Sequence, residues 1–179
     1  MGRDKANIPW GPDRLPLWQI QLEKLAALDP AEVLISARPG QQFEGQTLVV
    51  DEQPGAGPLP ALALCLSAAA NDHVLPLAVD MPAMSSTFLQ QLLRDSTECG
   101  LVYRTGKFFE PFPALYPRAL LPLLRETLTA GQDSMQQFIA RAATAGVLAT
   151  AELPPGAAPL FKSLNTPEDL DSGEKNSDN

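Results

Sequence analysis

The sequence has few of the side chains on which most hydrolases and transferases depend. Its 179 residues include one histidine, His73, and two cysteines, Cys65 and Cys99. Two cysteines are too few for a disulfide framework or a zinc site, so we interpret them as reduced thiols of a cytoplasmic protein. No serine lies in a nucleophile-elbow motif, and no Gly-Lys-Ser/Thr motif of a P-loop is present. Acyl transfer, zinc-dependent hydrolysis and P-loop phosphoryl transfer are therefore poorly supported.

Positive charge and long apolar runs are also scarce. Thirteen Lys and Arg residues against 21 Asp and Glu give a formal net charge of −8, which argues against nucleic acid or a membrane surface as a partner. A nucleotide is still compatible with this charge, because a metal ion and one or two local cations can hold its phosphates. No apolar stretch approaches the ~20 residues of a membrane helix, and the first residues lack the apolar core of a signal peptide.

The sequence does contain apolar segments that alternate between strand and helix patterns. Hydrophobic residues make up 45% of a chain long enough for one domain with a substantial core. The patterns predict strands at 33–37, 47–50, 73–79, 100–104, 111–116 and 146–152. They predict helices at 15–25, 59–70, 85–93, 120–128 and 135–143. This alternation favours an α/β sandwich with a mostly parallel sheet, in one domain at 1–170 with a frayed polar tail at 171–179.

Three local details refine this prediction. Prolines mark the segment at 111–116 and confine it to an edge or an irregular strand. Asp133 is the predicted cap of the helix that follows it, with Gln136 three residues further on. Thr166 is the predicted cap of a last helix, with Asp169 closing a capping box.

The segment at 73–82, HVLPLAVDMP, ends a short apolar run at Asp80. Such a run predicts a buried strand covered on both faces, with Asp80 at its carboxyl end, where open α/β sheets bind ligands. A single carboxylate there suits a hard divalent cation that also contacts substrate phosphates. A helix cap or a turn aspartate explains this segment equally well. His73 opens the run, so we interpret it as a structural or surface histidine rather than a general base.

The strand at 47–50 also ends at a carboxylate, Asp51, and a glycine-rich turn follows it. This turn, residues 53–58 (QPGAGP), leads into the helix at 59–70. Its glycines could let the backbone approach a ligand, although an ordinary strand-to-helix loop is the commoner explanation of such a turn.

One reaction type needs none of the missing groups. A phosphate monoester has a second pKa near ~6, so as a nucleophile it arrives ionised and needs no base. Its attack on the α-phosphate of a nucleoside triphosphate is mainly a matter of alignment and charge. Asp80 for a metal ion and Lys5 for the phosphates form a sufficient minimal set.

Six blocks of the sequence, in order, resemble the MobA-like nucleotidyltransferases. The family signature Gly-Gly-x-Ser-x-Arg-Met-Gly-x-Asp-Lys ends in a pattern that residues 1–5 match. The other similar blocks are at 16–18, Asp51 with 57–59, 79–82, 110–116 and 165–170. The resemblance runs from residue 1 to about 170 and implies the Rossmann-like three-layer fold of the nucleotide-diphospho-sugar transferases. In its length, and in the Asn-Thr-Pro sequence at 165–167, the chain is most similar to the molybdenum cofactor guanylyltransferases.

The resemblance implies an activity and a set of site residues. Those enzymes attach GMP from GTP to molybdopterin with magnesium and release pyrophosphate. Lys5 would contact the triphosphate and offset charge on the leaving pyrophosphate, and Asp80 would ligate magnesium. Residues that would bind the nucleotide or the pterin are Ser36, Asp51, Gly57 and Asn165. The alignment at Ser36 is loose by one residue, and Asn165 is equally well explained as the residue before a capped helix. Molybdenum cofactor handover proteins are possible partners.

The beginning of the chain departs from the family pattern. In family members, the position that matches Met1 follows an arginine, and an apolar strand and a glycine-rich loop come before that arginine. This sequence has neither the strand nor the loop. The strand would lie centrally in the sheet, and the loop N–H groups would cradle base and phosphates. We therefore expect an N-terminally truncated chain with the first strand missing.

Two alternatives stay open at this point. Within the same fold, the base could be cytosine, or the acceptor could be another phosphorylated metabolite such as a sugar or an isoprenoid precursor. In a different class, the chain could be a non-catalytic relative that binds a nucleotide or serves as an interaction domain, because the glycine-rich loop is absent.

Overall fold

The computed structural model of the protein describes residues 4–51, 55 and 57–165, which contain eight strands and five α-helices. The strands are β1 (Pro9–Trp10), β2 (Leu15–Pro16), β3 (Leu34–Ala37), β4 (Thr47–Val50), β5 (His73–Val74), β6 (Leu101–Thr105), β7 (Phe108–Pro117) and β8 (Thr150–Glu152). The helices are α1 (Leu17–Ala26), α2 (Pro58–Ala68), α3 (Ser86–Asp95), α4 (Leu121–Thr129) and α5 (Met135–Thr144). Short 3-10 helices cover Lys5–Asn7, Arg118–Leu120 and Ala158–Phe161. The predicted cap at Thr166 and the predicted tail at 171–179 lie outside the described residues.

The chain divides into two compact units. The first comprises Met1–Asp29, Leu77–Gln91 and Pro154–Asn179, and the second comprises Pro30–Pro76 and Leu92–Leu153. The first unit contains α1 and the antiparallel pair β1–β2, and the second contains β3 to β8 with α2, α4 and α5. Among the described residues, no helix is long and apolar enough to cross a membrane.

Strands β3 and β4 of the second unit form a parallel pair. Their register runs from Leu34 opposite Thr47 to Ala37 opposite Val50, so both strands end at the same edge. Helix α2, which follows β4 in the chain, packs against both of them. The predicted strands at 33–37 and 47–50 are therefore confirmed, and their β-branched and leucine side chains suit a sheet covered by a helix.

The other sheet of the second unit has four strands in the order β5-β7-β6-β8. Strand β8 is parallel to β6, whereas β5 and β6 are both antiparallel to β7. Gly100 precedes β6 with φ of 73°, and a Cβ there would collide with the carbonyl of Leu115 in β7. Glycine is therefore required where these two strands approach. The α/β class is confirmed, with parallel and antiparallel pairs combined.

The predicted strand at 73–79 is wrong for most of its length. Only His73 and Val74 pair, as β5, and residues 75–78 belong to no strand. Pro76 has no N–H to donate to a ladder, so the extended chain cannot continue as a paired strand. Asp80 consequently lies in a turn six residues beyond Val74 rather than at the end of a strand, and it is only partly buried.

The proline-marked strand β7 lies inside its sheet, between β5 and β6. The prediction of an edge strand is therefore wrong, whereas the predicted irregularity is confirmed. The register with β6 shifts between residues 101 and 103 of β6, which leaves residues 111–114 of β7 bulged. Pro111 and Pro113 fall in this bulge, where the ladder does not need their missing N–H groups.

Helix α5 begins with a different cap from the predicted one. Ser134, not Asp133, is the N-cap, and its Oγ accepts a hydrogen bond from the backbone N–H of Gln137. The side-chain amide of Gln136 donates to the Phe109 carbonyl at 2.8 Å and accepts from the Phe109 N–H at 2.9 Å. Gln136 therefore extends the hydrogen bonding of β7 instead of closing a capping box.

One apolar cluster fills the space between the sheet and the helices α2, α4 and α5 of the second unit. Its fully buried members include Leu59, Leu66, Val102, Ala114, Tyr116, Leu120, Leu124, Phe138, Ile139 and Ala142. The hydroxyl of Tyr116 donates to the carbonyl of Pro111 at 2.9 Å, so its polar atom is satisfied within the cluster. Burial of these side chains provides the main stabilisation of the unit.

We expect Leu66→Ala to lower the free energy of unfolding by roughly 2–4 kcal/mol, because it leaves a cavity in this cluster. Leu64→Ala on the same helix is the matched control, since Leu64 is 37% exposed, and we expect a loss under about 1 kcal/mol. Urea denaturation of both variants measures the difference. Equal losses would contradict the assignment of the buried face of α2.

Candidate functional site

Lys5 is held in place by its short 3-10 helix. Asp4 caps this helix, and its Oδ1 accepts from the N–H of Ala6 at 3.2 Å. Two residues after the buried Ala6, the Ile8 carbonyl accepts from the N–H of Leu17 at 3.0 Å. Leu17 is fully buried at the start of α1, so the backbone around Lys5 is anchored to that helix.

Asp80 lies in a turn whose backbone is held by side chains of α1. The Nε2 of Gln21 donates to the carbonyls of Ala78 and Met81, each at 3.0 Å, and lies 3.4 Å from the carbonyl of Val79. One helical turn later, the Nζ of Lys24 donates to the Pro82 carbonyl at 2.8 Å. The turn that carries Asp80 is therefore bonded to α1 on both sides of the carboxylate.

Three distant parts of the chain meet at the ammonium group of Lys5. Its Nζ donates to Oδ2 of Asp80 at 2.9 Å and to Oδ1 of Asn165 at 3.0 Å. The backbone N–H of Leu164 donates to the carbonyl of Asp80 at 2.8 Å, which places Asn165 beside the turn. We call this arrangement the Lys5–Asp80–Asn165 cluster; all three residues belong to the first unit.

The ion pair in this cluster does little for stability. The side chains of Lys5 and Asp80 are 31% and 21% exposed, and a solvent-accessible pair of this kind contributes roughly 0–1 kcal/mol. Its physical effect is geometric, because the carboxylate and the amide together fix the ammonium. The cluster thus presents one cation and one carboxylate, side by side and partly exposed, which are the charges that a metal–phosphate complex needs.

The donor set at Asp80 fits magnesium. This ion is usually held by one or two carboxylates together with substrate phosphates and water, rather than by a cage of protein ligands. Among residues 4–51, 55 and 57–165, no group of three or more His, Cys, Asp or Glu side chains could hold a metal ion. At such a site Asp80 would be the protein ligand, and phosphate and water oxygens would complete the coordination.

Comparison with known families decides where this chain belongs. A model of the MobA-like NTP transferase domain matches residues 1–146. The chain is a member of the MobA-like NTP transferase family.

Relatives of this family member align over most of its length. A protein of Opitutus terrae named "Probable molybdenum cofactor guanylyltransferase" is 32% identical over 175 residues, which is 96% of this chain and 87% of that protein.

Two solved structures share the fold. Molybdopterin-guanine dinucleotide biosynthesis protein A of Archaeoglobus fulgidus has a TM-score of 0.73 at 19% identity, over 97% of this chain and 90% of its own. The 2-C-methyl-D-erythritol 4-phosphate cytidylyltransferase of Thermus thermophilus has a TM-score of 0.70 at 21% identity, over 97% and 93%. The predicted nucleotidyltransferase fold is confirmed.

The structure brings together three of the six site residues expected in this MobA-like protein, namely Lys5, Asp80 and Asn165. The other three, Ser36, Asp51 and Gly57, belong to the second unit. Asp51 follows β4, and its N–H donates to the Ala37 carbonyl at 2.8 Å. Gly57 precedes α2 with φ of 90°, a conformation that favours glycine.

Ser36 is an exposed residue of β3. Burial raises the pKa of the Cys65 thiol, and an interaction with the Ser36 side chain offsets part of the effect. Directly after β3, an open depression of about 520 Å³ is lined by Arg38, Pro39, Gly40 and Gln41. The role of Ser36 as a nucleotide contact stays a prediction.

Two residues that contact the Asp80 turn were missed from the sequence, namely Gln21 and Lys24. Gln21 follows Leu17 by four residues, so the two share one face of α1, and Gln21 is only 5% exposed. A glutamine on a buried helix face was the available signal, because such an amide needs hydrogen-bond partners. The identity of those partners, backbone carbonyls some 60 residues away, has no sequence signature.

The pKa of Lys24 predicts how the free energy of unfolding changes with pH. Burial lowers the pKa of Lys24 from 10.5 to about 8, so between about pH 8 and 10.5 the unfolded chain binds more protons at this site than the folded one. The contribution of Lys24 to the free energy of unfolding therefore rises with pH across this window. Allowing for its partial exposure, we expect wild type to gain on the order of 1 kcal/mol relative to Lys24→Met.

Chemical denaturation of both proteins at pH 7, 8, 9 and 10 measures this difference, in which other titrating groups cancel. Lys24→Arg is the control, since its guanidinium stays charged throughout. Parallel stability curves for wild type and Lys24→Met would contradict the prediction.

Proposed function

We propose that this member of the MobA-like NTP transferase family is a molybdenum cofactor guanylyltransferase. It transfers GMP from GTP to the phosphate of molybdopterin and releases pyrophosphate. The relative from Opitutus terrae, whose name gives this activity and whose alignment covers 96% of this chain, supports the choice of substrates. The observation that carries the proposal is the Lys5–Asp80–Asn165 cluster, because it pairs a phosphate-binding cation with a metal-binding carboxylate.

The reaction needs alignment more than acid–base chemistry. The phosphate monoester of molybdopterin is largely ionised at neutral pH, since the second pKa of such a group is ~6. One of its oxygens forms a bond to the α-phosphorus of GTP while the bond from that phosphorus to the oxygen of the β-phosphate breaks. The electron pair of the broken bond leaves with pyrophosphate, and no proton has to be removed from the nucleophile.

Lys5 stabilises the negative charge that develops on pyrophosphate. An ammonium group has three N–H donors, and among the described residues Asp80 and Asn165 accept two of them. The third donates to an oxygen of the triphosphate in this mechanism. Because Lys5 is already oriented by its two partners, little reorganisation is needed as the charge moves to the leaving group.

Asp80 is the proposed ligand of magnesium, and one of its carboxylate oxygens is already fixed by Lys5 at 2.9 Å. Bound magnesium supplies neutralisation of the phosphate charge, as in other phosphoryl-transfer enzymes. Asn165 is proposed to lie beside the pterin. Ser36, Asp51 and Gly57 are proposed contacts of the guanine nucleotide, as the family resemblance implies.

The setting of the enzyme follows from the same proposal. We place it in the cytoplasm, where reduced Cys65 and Cys99 are compatible with the redox environment. Its small-molecule partners are GTP and molybdopterin, and the product would pass to molybdenum cofactor handover proteins.

Pyrophosphate release from the purified chain with GTP, magnesium and molybdopterin tests the function. We expect turnover with GTP to exceed turnover with CTP at equal concentration. Asp80→Asn should reduce turnover on the order of 10²-fold or more, because it removes the metal-binding charge. Asp13→Asn is the matched control in the same unit, since Asp13 is exposed, and it should retain wild-type turnover.

Three results would contradict the proposal. Faster turnover with CTP would make the chain a cytidylyltransferase of the same fold. Magnesium-dependent protection by GTP against thermal unfolding, without turnover of any nucleotide, would indicate a non-catalytic binding protein. Equal turnover by Asp80→Asn and Asp13→Asn would remove the metal site from Asp80.

A further inference from the structure

Helix α1 bonds to the backbone on both sides of Asp80 through two side chains. We propose that Gln21 and Lys24 are positioning residues, which hold the Asp80 turn in the conformation that presents its carboxylate for magnesium. The inference rests on the proposed function. Neither residue contacts the reacting groups in this account; both act through the main chain of residues 78–82.

The carboxamide of Gln21 is the central contact. Its Nε2 lies within 3.0 Å of the carbonyls of Ala78 and Met81 and 3.4 Å from the carbonyl of Val79. Convergence of these carbonyls on one donor requires the chain to fold around that donor as a tight turn. Asp80 lies between the bonded carbonyls of Ala78 and Met81, so its backbone has little freedom while the amide is in place.

Stability alone does not explain a glutamine at this position. Gln21 is only 5% exposed, and among the described residues its Oε1 is buried without a hydrogen-bond partner. An unsatisfied buried oxygen costs free energy, which an apolar side chain of the same size would avoid. What the apolar side chain would lack is the N–H donor, so we assign the value of Gln21 to the turn that its donor holds.

Lys24 holds the far side of the same turn. It follows Gln21 by three residues and therefore lies on the same face of α1, and its Nζ donates to the Pro82 carbonyl at 2.8 Å. The Ile8 carbonyl accepts from Leu17 at the start of this helix. One rigid helix thus sets the position of the 3-10 helix that carries Lys5 and of the turn that carries Asp80.

This geometry predicts a specific defect when the donor is removed. Gln21→Met keeps the length and packing of the side chain and leaves the Asp80 carboxylate intact. The freed turn spends less time in the metal-binding conformation, so a higher magnesium concentration is needed to occupy the site. Once the site is occupied the same groups carry out the reaction, so the maximal rate stays close to wild type.

The experiment compares wild type with Gln21→Met, Lys24→Met and the control Gln90→Met. Gln90 is an exposed glutamine of α3 whose Nε2 lies 3.4 Å from the carbonyl of Ala27. Hydrogen–deuterium exchange of the peptide at residues 77–83 is measured without ligand. The magnesium concentration for half-maximal pyrophosphate release is measured at saturating GTP and molybdopterin.

We expect Gln21→Met to raise both the exchange rate of this peptide and the magnesium requirement roughly 30-fold, the effect of losing the two hydrogen bonds to Ala78 and Met81. Lys24→Met should change both in the same direction, and Gln90→Met should change neither. Melting temperature and maximal rate should stay near wild type. If Gln21→Met does not fold, Lys24→Met carries the same two measurements, because Lys24 is only partly buried.

Unchanged exchange and an unchanged magnesium requirement in both variants would overturn the inference. A lower melting temperature and maximal rate with the wild-type magnesium requirement would also overturn it, since that is the result of a purely structural role. Absence of turnover in wild type at every magnesium concentration is a different result. It would contradict the proposed function, and the exchange measurement would still decide whether Gln21 holds the turn.

Discussion

The candidate site depends on the backbone and amide hydrogen bonds that let the Lys5 ammonium reach Asp80 and Asn165. The bonds of the ammonium itself join residues 75 and 160 positions apart in the chain, yet an ion pair this exposed is too weak to bring such distant segments together. Backbone and amide bonds must do that first. The backbone bond from Leu164 to Asp80 and the one from Leu17 to Ile8 hold the segments in place. The ion pair is therefore a consequence of this geometry and not its cause.

The residues that stabilise the fold are different from the residues of the candidate site. The large apolar cluster stabilises the second unit, whereas the cluster at Lys5 consists of polar groups that water can reach. Charged groups that stay accessible can exchange a protein partner for a phosphate or a metal ion at little cost, because they have not been fully desolvated. The family to which the chain belongs uses nucleoside triphosphates, and such exchange is what binding a magnesium–triphosphate complex requires.

The sequence was informative where local patterns decide the structure. Strands β3 and β4 follow from short apolar runs that stop at polar residues, and α1 to α5 follow from helical spacing with recognisable ends. The strand expected at 73–79 failed at Pro76, where the lack of one N–H outweighs the apolar pattern. Strand β7 lies inside its sheet because its prolines fall in a bulge, and a bulge depends on the partner strand as well as on the sequence.

The site was predictable only in part, for the same reason. Similarity to the family indicated Lys5, Asp80 and Asn165, and the structure brings these three together. Gln21 was not indicated, because its partners are backbone carbonyls in a turn that no local pattern specifies. Contacts between a side chain and a distant main chain depend on the completed fold, so they become visible only in the structure.

A crystal structure with GTP and Mn²⁺ in place of Mg²⁺ tests the central claim most directly, because manganese gives an anomalous signal that locates the ion. The account predicts an anomalous peak about 2.0–2.3 Å from a carboxylate oxygen of Asp80, with the Nζ of Lys5 within hydrogen-bond distance of a triphosphate oxygen. A manganese–GTP complex bound away from Asp80, with the Lys5–Asp80 pair left undisturbed, would contradict it.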